Sequence, residues 1–240
     1  MLVAAAVCPC PPLLVPAVAA GAASELDTLR AACADAVGVL AAARPERLVA
    51  VGPAPQQGLG AFPQGAAGSF RSYGVALDVT LGAPPESGAP APTTAVALPS
   101  SLAVAGWLLR GWRDAPVEGL GVAAQLEQER CAAAGRALAD SASRVALLVM
   151  GDGSTCRTVK APGYLDERAE PFDALVAAAL GAADTAALAA LDQDLAQALQ
   201  AAGRAPWQVL AGAAHGGGLA GELLYDAAPY GVGYFVATWT

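Results

Sequence analysis

The sequence predicts an α/β protein, a three-layer α/β/α single domain over residues 1–240 with a mixed central sheet. Three observations carry that expectation. The runs 2–7, 47–52 and 145–150 are short, continuous and apolar, the pattern of strands covered on both faces. Alanine-rich stretches with helical spacing, such as 125–142, separate them, and strands alternating with helices favour this architecture. No repeat of solenoid period and no linker-like break in composition divides the chain.

The first strand, 2–7, runs into Cys8-Pro9-Cys10-Pro11-Pro12, a loop stiffened because each proline fixes φ and restrains its predecessor. Ser24, with Asp27 three residues on, reads as the cap of a helix reaching about Ala42. Residues 47–52 form the second strand and end in a Gly-Pro turn. Residues 58–72 are Gly-rich without periodicity, 75–81 read as a strand near an edge, and 82–92 as a Pro/Gly/Ala loop. A helix over 102–110, a strand over 119–123 and a helix over 125–142 come next. After Pro171 the sequence predicts helices over 172–180, 185–202 and 206–214, with Gly203 capping the second. A strand pair, 222–225 and 232–238, ends the chain.

Composition narrows the function classes. The chain is 55% hydrophobic and 14% charged, with a net charge of −8. Much of the apolar count is alanine, which reads as tight helix packing, and every apolar window falls far short of the ~18 residues a membrane span needs. The opening lacks a basic segment and is interrupted by Pro9, Pro11, Pro12 and Pro16, so it reads as strand and loop rather than an export signal. Five cysteines, an odd number, argue against a disulfide framework and for the cytoplasm. Acidity without a basic cluster argues against nucleic acid as a partner.

The chain is organised around its strand over 145–150 and the polar segment at that strand's carboxyl end. Gly151-Asp152-Gly153-Ser154 leaves the sheet in a tight polar turn, at the edge where ligands of open α/β sheets gather. The connection over 155–170 then concentrates Cys156, Arg157, Lys160, Tyr164, Asp166, Glu167 and Arg168 in a chain otherwise poor in charge.

Three pieces, CPCPPLLVP (8–16), VMGDGSTCR with PGYLDERAEPFD (149–173) and LLYDAAPYGVGYFVA (223–237), resemble the class III extradiol ring-cleavage dioxygenases, the LigB-like superfamily that includes Memo-type proteins. The resemblance implies a non-haem Fe(II) site of two histidines and a carboxylate, with a further histidine as acid/base, opening a catechol-like ring with dioxygen. This chain departs from that pattern. Cys10 stands where the family has its opening ligand histidine, Pro53-Ala54-Pro55 where it has a proline and a histidine, and Thr155 or Cys156 where it has the acid/base histidine. The carboxylate position survives as Asp226 or Glu222. His215 is the single histidine, so the family's two-imidazole site cannot form within one chain.

Other constellations are weighed on the same residues. Cys8, Cys10 and Cys156, with Asp226 or His215, could hold a softer metal such as zinc, although Cys-x-Cys is not a standard zinc spacing and buried cysteine is common as packing. Cys33 and Cys131 read as packing. Ser154 with His215 and Asp226 or Asp152 has the residue types of a hydrolase triad, but no glycine completes the nucleophile-elbow motif. Gly216-Gly217-Gly218 lacks the lysine of a phosphate loop. Tyr225, Tyr230, Tyr234, Phe235 and Trp239 read first as core or subunit contact and second as a ligand wall.

The expectation is therefore a dioxygenase-like scaffold without its Fe(II) site, catalytically silent or binding a small aromatic molecule, with no cofactor. Cys10, Pro11, Gly151, Asp152, Arg157 and Tyr230 would line the pocket, and Ser154, Thr155 and Cys156 would be the reactive candidates. An active oxidoreductase with altered metal ligands, Cys10 and Asp226 among them, and a serine hydrolase using Ser154 and His215 are the competing readings. A homo-oligomer or a catalytic homologous subunit is the expected protein partner, with no membrane partner.

Overall fold

The computed structural model describes residues 1–83 and 96–240. In chain order the elements are β1 (Leu2–Cys8), α1 (Pro16–Ala19), α2 (Asp27–Ala42), β2 (Arg47–Pro53), β3 (Gly60–Phe62), β4 (Ala67–Ser69), β5 (Asp78–Thr80) and α3 (Ser100–Leu108). Then come β6 (Val117–Val122), α4 (Gln128–Ala139), β7 (Val145–Met150), α5 (Ala169–Gly181), α6 (Thr185–Ala189), α7 (Gln193–Ala198), α8 (Arg204–Ala213), β8 (Gly221–Ala227) and β9 (Tyr234–Trp239). The main sheet has seven strands in the order β3-β6-β2-β7-β1-β9-β8. β6, β2, β7 and β1 are parallel, β3 and β9 run against them, and β8, antiparallel to β9, runs with them again, so the sheet is mixed and the fold is α/β in three layers.

The period of two along each strand decides which layer a side chain joins. Even-numbered residues, Ala4, Ala6, Cys8, Leu48, Ala50, Ala146, Leu148, Met150, Tyr234 and Val236, pack with Leu29, Cys33, Leu40 of α2 and Leu102, Val104 of α3. Odd-numbered residues, Ala5, Val7, Val49, Val51, Leu147, Val149, Phe235 and Ala237, pack with α4, α5 and α8 through Cys131, Val176, Leu180, Trp207 and Leu210. Both faces of β1 and β7 are thus buried, as their unbroken apolar runs predict. Among the described residues no helix is long and apolar enough to cross a membrane.

Four expectations need correction. Ser24 does not cap α2: it lies in a 3-10 segment, Ala20–Leu26, and α2 starts at Asp27 behind Leu26. The helix expected over 185–202 is two helices, because Asp184 accepts the Ala187 N–H and Asp192 the Leu195 N–H, so each aspartate starts a helix of its own. Gly203 is not a C-terminal cap; its φ is −76° and it opens α8. The strand expected over 75–81 is β5, paired with β4 in a separate two-stranded sheet rather than near the main edge. The loop expected over 82–92 falls mostly outside the described residues.

α8 is fixed to the sheet's carboxyl edge by close backbone approach. A Cβ on Gly151 would stand 2.5 Å from the Gly203 Cα, and one on Gly203 would lie 2.2 Å from the Trp207 ring. The buried Arg204 guanidinium then reaches back to Leu126 O and to Gln208 Oε1, both at 2.7 Å.

Candidate functional site

Sheet register places three polar groups side by side. Continuing the parallel β1/β7 pairing two residues past Cys8↔Met150 sets Cys10 beside Asp152. Continuing the antiparallel β1/β9 pairing three residues past Val7↔Ala237 sets Cys10 beside Tyr234. All three carry even numbers, so the row Asp152-Cys10-Tyr234 faces the α2/α3 layer at the carboxyl edge of the parallel strands. The Cys10 N–H donates to Asp152 Oδ1 at 2.8 Å. One residue further along, past the end of β1, the Gly153 N–H donates to Gly233 O at 2.7 Å, while at the row itself Cys10 still stands between Asp152 and Tyr234.

The row is enclosed yet not sealed. Cys10 and Tyr234 are 8% and 3% exposed. Asp152 is partly exposed, with protein crowding it on most sides. Among the described residues, the Tyr234 hydroxyl and Asp152 Oδ2 make no hydrogen bond to an oxygen or nitrogen of the protein, and neither is closed off from solvent. These two open polar groups lie at the strand-end mouth, where Tyr225 and Tyr230 stand near enough to act on the Tyr234 phenol and Tyr230 donates its hydroxyl to Glu25 at 3.0 Å.

Burial sets the electrostatics. Desolvation lifts the Asp152 carboxyl to about 6, with the two Cys10 contacts pulling the other way. Burial also pushes up the Cys10 thiol and, with Asp152 and Cys10 nearby, the Tyr234 phenol, so both stay protonated. The sign of the Asp152 effect is testable. A carboxyl raised in the fold contributes stability below its unfolded value, near 3.8, and loses it as pH rises through about 6. Asp152→Asn is therefore expected to match the wild type near pH 4 and to exceed it by about 2 kcal/mol near pH 8, allowing for partial solvation. Urea midpoints at the two pH values check this; a variant less stable at the higher pH would contradict it.

Most of the expected strand-end residues lie on the other side of the sheet. Ser154 is fully buried, its Oγ donating to Asp173 Oδ2 at 2.7 Å and its N–H to Oδ1 at 2.8 Å. Arg157 spans from Asp173 at 3.3 Å to Glu170 at 3.5 Å. Cβ atoms on Gly153 and Gly233 would lie 2.7 and 2.6 Å from the same carboxylate. Ser154, Arg157 and Asp173 thus form a lock that holds the two glycines. They do not line the mouth, and burial pushes the Asp173 carboxyl up even against these partners. Cys156 is 2% exposed, its Sγ facing Gly163 O and Leu199 O. Thr155 gives its Oγ1 proton to Gln200. Pro11 is buried at the start of the 3-10 turn, and Gly151 packs on Gly203.

The hydrolase set is not assembled. Ser154 follows β7 close to where α8 begins, whereas exposed His215 lies past the far end of that ten-residue helix, about 15 Å along its axis. The thiolate set is divided too. Cys8 and Cys10 join the α2/α3 layer and Cys156 the opposite one, while Asp226 is exposed on the edge strand β8. Among the described residues no three His, Cys, Asp or Glu side chains converge as metal ligands would. The donors present do not supply the two-imidazole ferrous site that the resemblance implies: the chain has one histidine, Pro53-Ala54-Pro55 carries no imidazole, and the Thr155 hydroxyl is already bonded to Gln200.

A scan against models of protein families finds no match, and a search of curated proteins finds none. The crystal structure of the uncharacterized protein JW3007 from Escherichia coli K12 is similar, with a TM-score of 0.54 at 14% identity, covering 98% of this chain and 99% of that one. The likeness is one of fold. It extends end to end, so the layers that position the mouth belong to the shared architecture.

The structure's clefts lie elsewhere. One of about 590 Å³ runs between α5 and the α6–α7 pair, floored by Phe172, Leu175, Leu191 and Leu195. Arg168 on its rim is committed to Asp166 at 2.7 Å. The sequence offered Tyr234 as a ligand wall only second to a core or subunit contact, and did not place it beside Cys10. The parity shared by Cys10 and Asp152 was visible, but the β1/β9 register that adds Tyr234 was not.

Proposed function

We propose that this chain is an extradiol dioxygenase-like protein of LigB type that has given up Fe(II) chemistry and binds a small aromatic molecule at the mouth formed by Cys10, Asp152, Tyr230 and Tyr234. The observation that carries the reading is the pair of open groups, Asp152 Oδ2 and the Tyr234 hydroxyl, flanking the cysteine that stands where the resemblance puts a ligand histidine. Such a pair orients a ligand bearing a donor and an acceptor, and the tyrosine rings supply apolar wall. The five cysteines are all free and buried, which suits a reducing compartment, and we place the protein in the cytoplasm.

The test is calorimetric titration with protocatechuate, beside iron analysis and oxygen uptake after anaerobic loading with Fe(II). The expected result is binding in the range of about 10 μM to 1 mM, weakened about tenfold by Tyr234→Phe, which removes one hydrogen bond. Iron well below one per chain and no oxygen uptake complete the expectation. One iron per chain with catechol-dependent oxygen uptake would overturn it.

A further inference from the structure

We propose that the cleft between α2 and the carboxyl end of α3 is a second small-molecule site, which takes a carboxylate with a flat apolar body and holds its charge on Arg110. The inference rests on residues that the strand-end mouth does not use. The cleft encloses about 510 Å³, within the size range of ligand sites, and Arg30, Val37, Trp107, Leu108 and Arg110 are among its walls. Both of its charged lining residues are arginines and no acidic residue lines it. That is a local reversal of sign in a chain with 13 basic against 21 acidic residues and a net charge of −8.

The two arginines are not equivalent. Arg30, its side chain 13% exposed, is held by Leu14 O at 3.4 Å, by Ala23 O and by Asp27, a carboxylate that offsets its charge from outside the cleft. Arg110 has no such offset: among the described residues no carboxylate pairs with it. Its guanidinium lies 4.4 Å over the Trp107 ring, and its Nη1 donates to Trp107 O at 2.9 Å, as a basic side chain closing a helix end does. The stacking and this one bond fix the plane of the group and use one of its five N–H donors. A preorganised, weakly hydrated fork of this kind suits a carboxylate, which it meets with two parallel hydrogen bonds. One cation without an offsetting acid matches one anionic charge, which favours a carboxylate over a phosphate dianion. The half-buried Val37, Trp107 and Leu108 supply the apolar wall, so the rest of the ligand is flat and apolar.

The test is calorimetric titration of the full chain with 2-naphthoate, beside its neutral analogue 2-naphthalenemethanol and beside acetate, which has the charge without the body. The expected dissociation constant for 2-naphthoate is about 0.1–1 mM, in keeping with its size, with both analogues at least about tenfold weaker. Arg110→Met keeps the stem and removes the charged fork, and should weaken 2-naphthoate about tenfold. Arg110→Lys, which keeps the charge without the fork, should recover part of that loss. Tyr234→Phe should leave it unchanged. Arg110 is exposed and follows α3, and circular dichroism melts confirm that each variant is folded before its affinity is read. Equal affinity in folded Arg110→Met and the wild type would overturn the proposal, as would equal binding of the acid and either analogue. No binding of 2-naphthoate up to about 5 mM would overturn it too. A loss confined to Tyr234→Phe would put the carboxylate in the strand-end mouth and overturn the second site, whereas failure of protocatechuate to bind the mouth would leave it standing.

Discussion

Asp173→Ala is expected to cost the fold about 3–5 kcal/mol, the range for removing one partner from a buried charged network. Its carboxylate is 1% exposed and accepts both the N–H and the hydroxyl of Ser154, besides pairing with Arg157. Truncation strands two buried donors and a guanidinium, and opens a void against Gly153 and Gly233, which have no side chains to fill it. Against a typical stability of about 5–15 kcal/mol that is a large loss. Asp173→Asn keeps the shape and one acceptor, so about half the cost is expected. The effect should also reach the mouth, because the glycines that the carboxylate clamps carry Asp152 and Tyr234 beside them. Urea unfolding together with ligand titration checks both. A loss under about 1 kcal/mol, or destabilisation with unchanged affinity, would show that the lock and the mouth are independent.

The lock also explains which parts of this protein the sequence made legible. β1, β2 and β7 could be read because strands buried on both faces are apolar at every position, and that signal needs no partner to interpret. Ser154 could be read as important but not as structural, since the side of the sheet a residue faces after a turn depends on the turn's path, not on strand parity. Its true partner, Asp173, sits 19 residues on in α5, inside a stretch where an acidic residue near a helix start has a sufficient local explanation. The break between α6 and α7 was present as Asp192 three residues before Leu195, but alanine-rich spacing on both sides masks an internal cap. β3, spelled Gly60-Ala61-Phe62, has weak strand propensity, with only Phe62 favouring a strand; it exists because β6 leaves an edge to be paired. Tyr234 required register between strands more than 200 positions apart, information that only the closed sheet contains.

Gly135→Ala is expected to destabilise by about 3 kcal/mol or more, at the upper end of overpacking effects, because the atoms in its way are backbone. At the α4–α8 crossing an added Cβ would stand 2.0 Å from Val209 O and 2.6 Å from the Ala213 N, and across the same contact a Cβ on Gly212 would meet Ala132 O at 2.4 Å. No rotamer change relieves such contacts; one helix must move. Gly38 in α2 is the internal control. Nothing lies within 4 Å of its added Cβ, so Gly38→Ala should leave stability unchanged or raise it by about 0.5–1 kcal/mol through helix propensity. The direction in which α8 would yield gives the pair of variants a functional reading. α8 begins at Gly203, whose N–H donates to Asp152 O at 2.9 Å and whose Cα touches Gly151. A helix pushed away from α4 pulls on the residue that supplies the mouth's carboxylate, so ligand affinity should fall in Gly135→Ala and hold in Gly38→Ala. Equal thermal and urea midpoints for the two would show that the helices are not in backbone contact, and would remove the support this crossing gives the site.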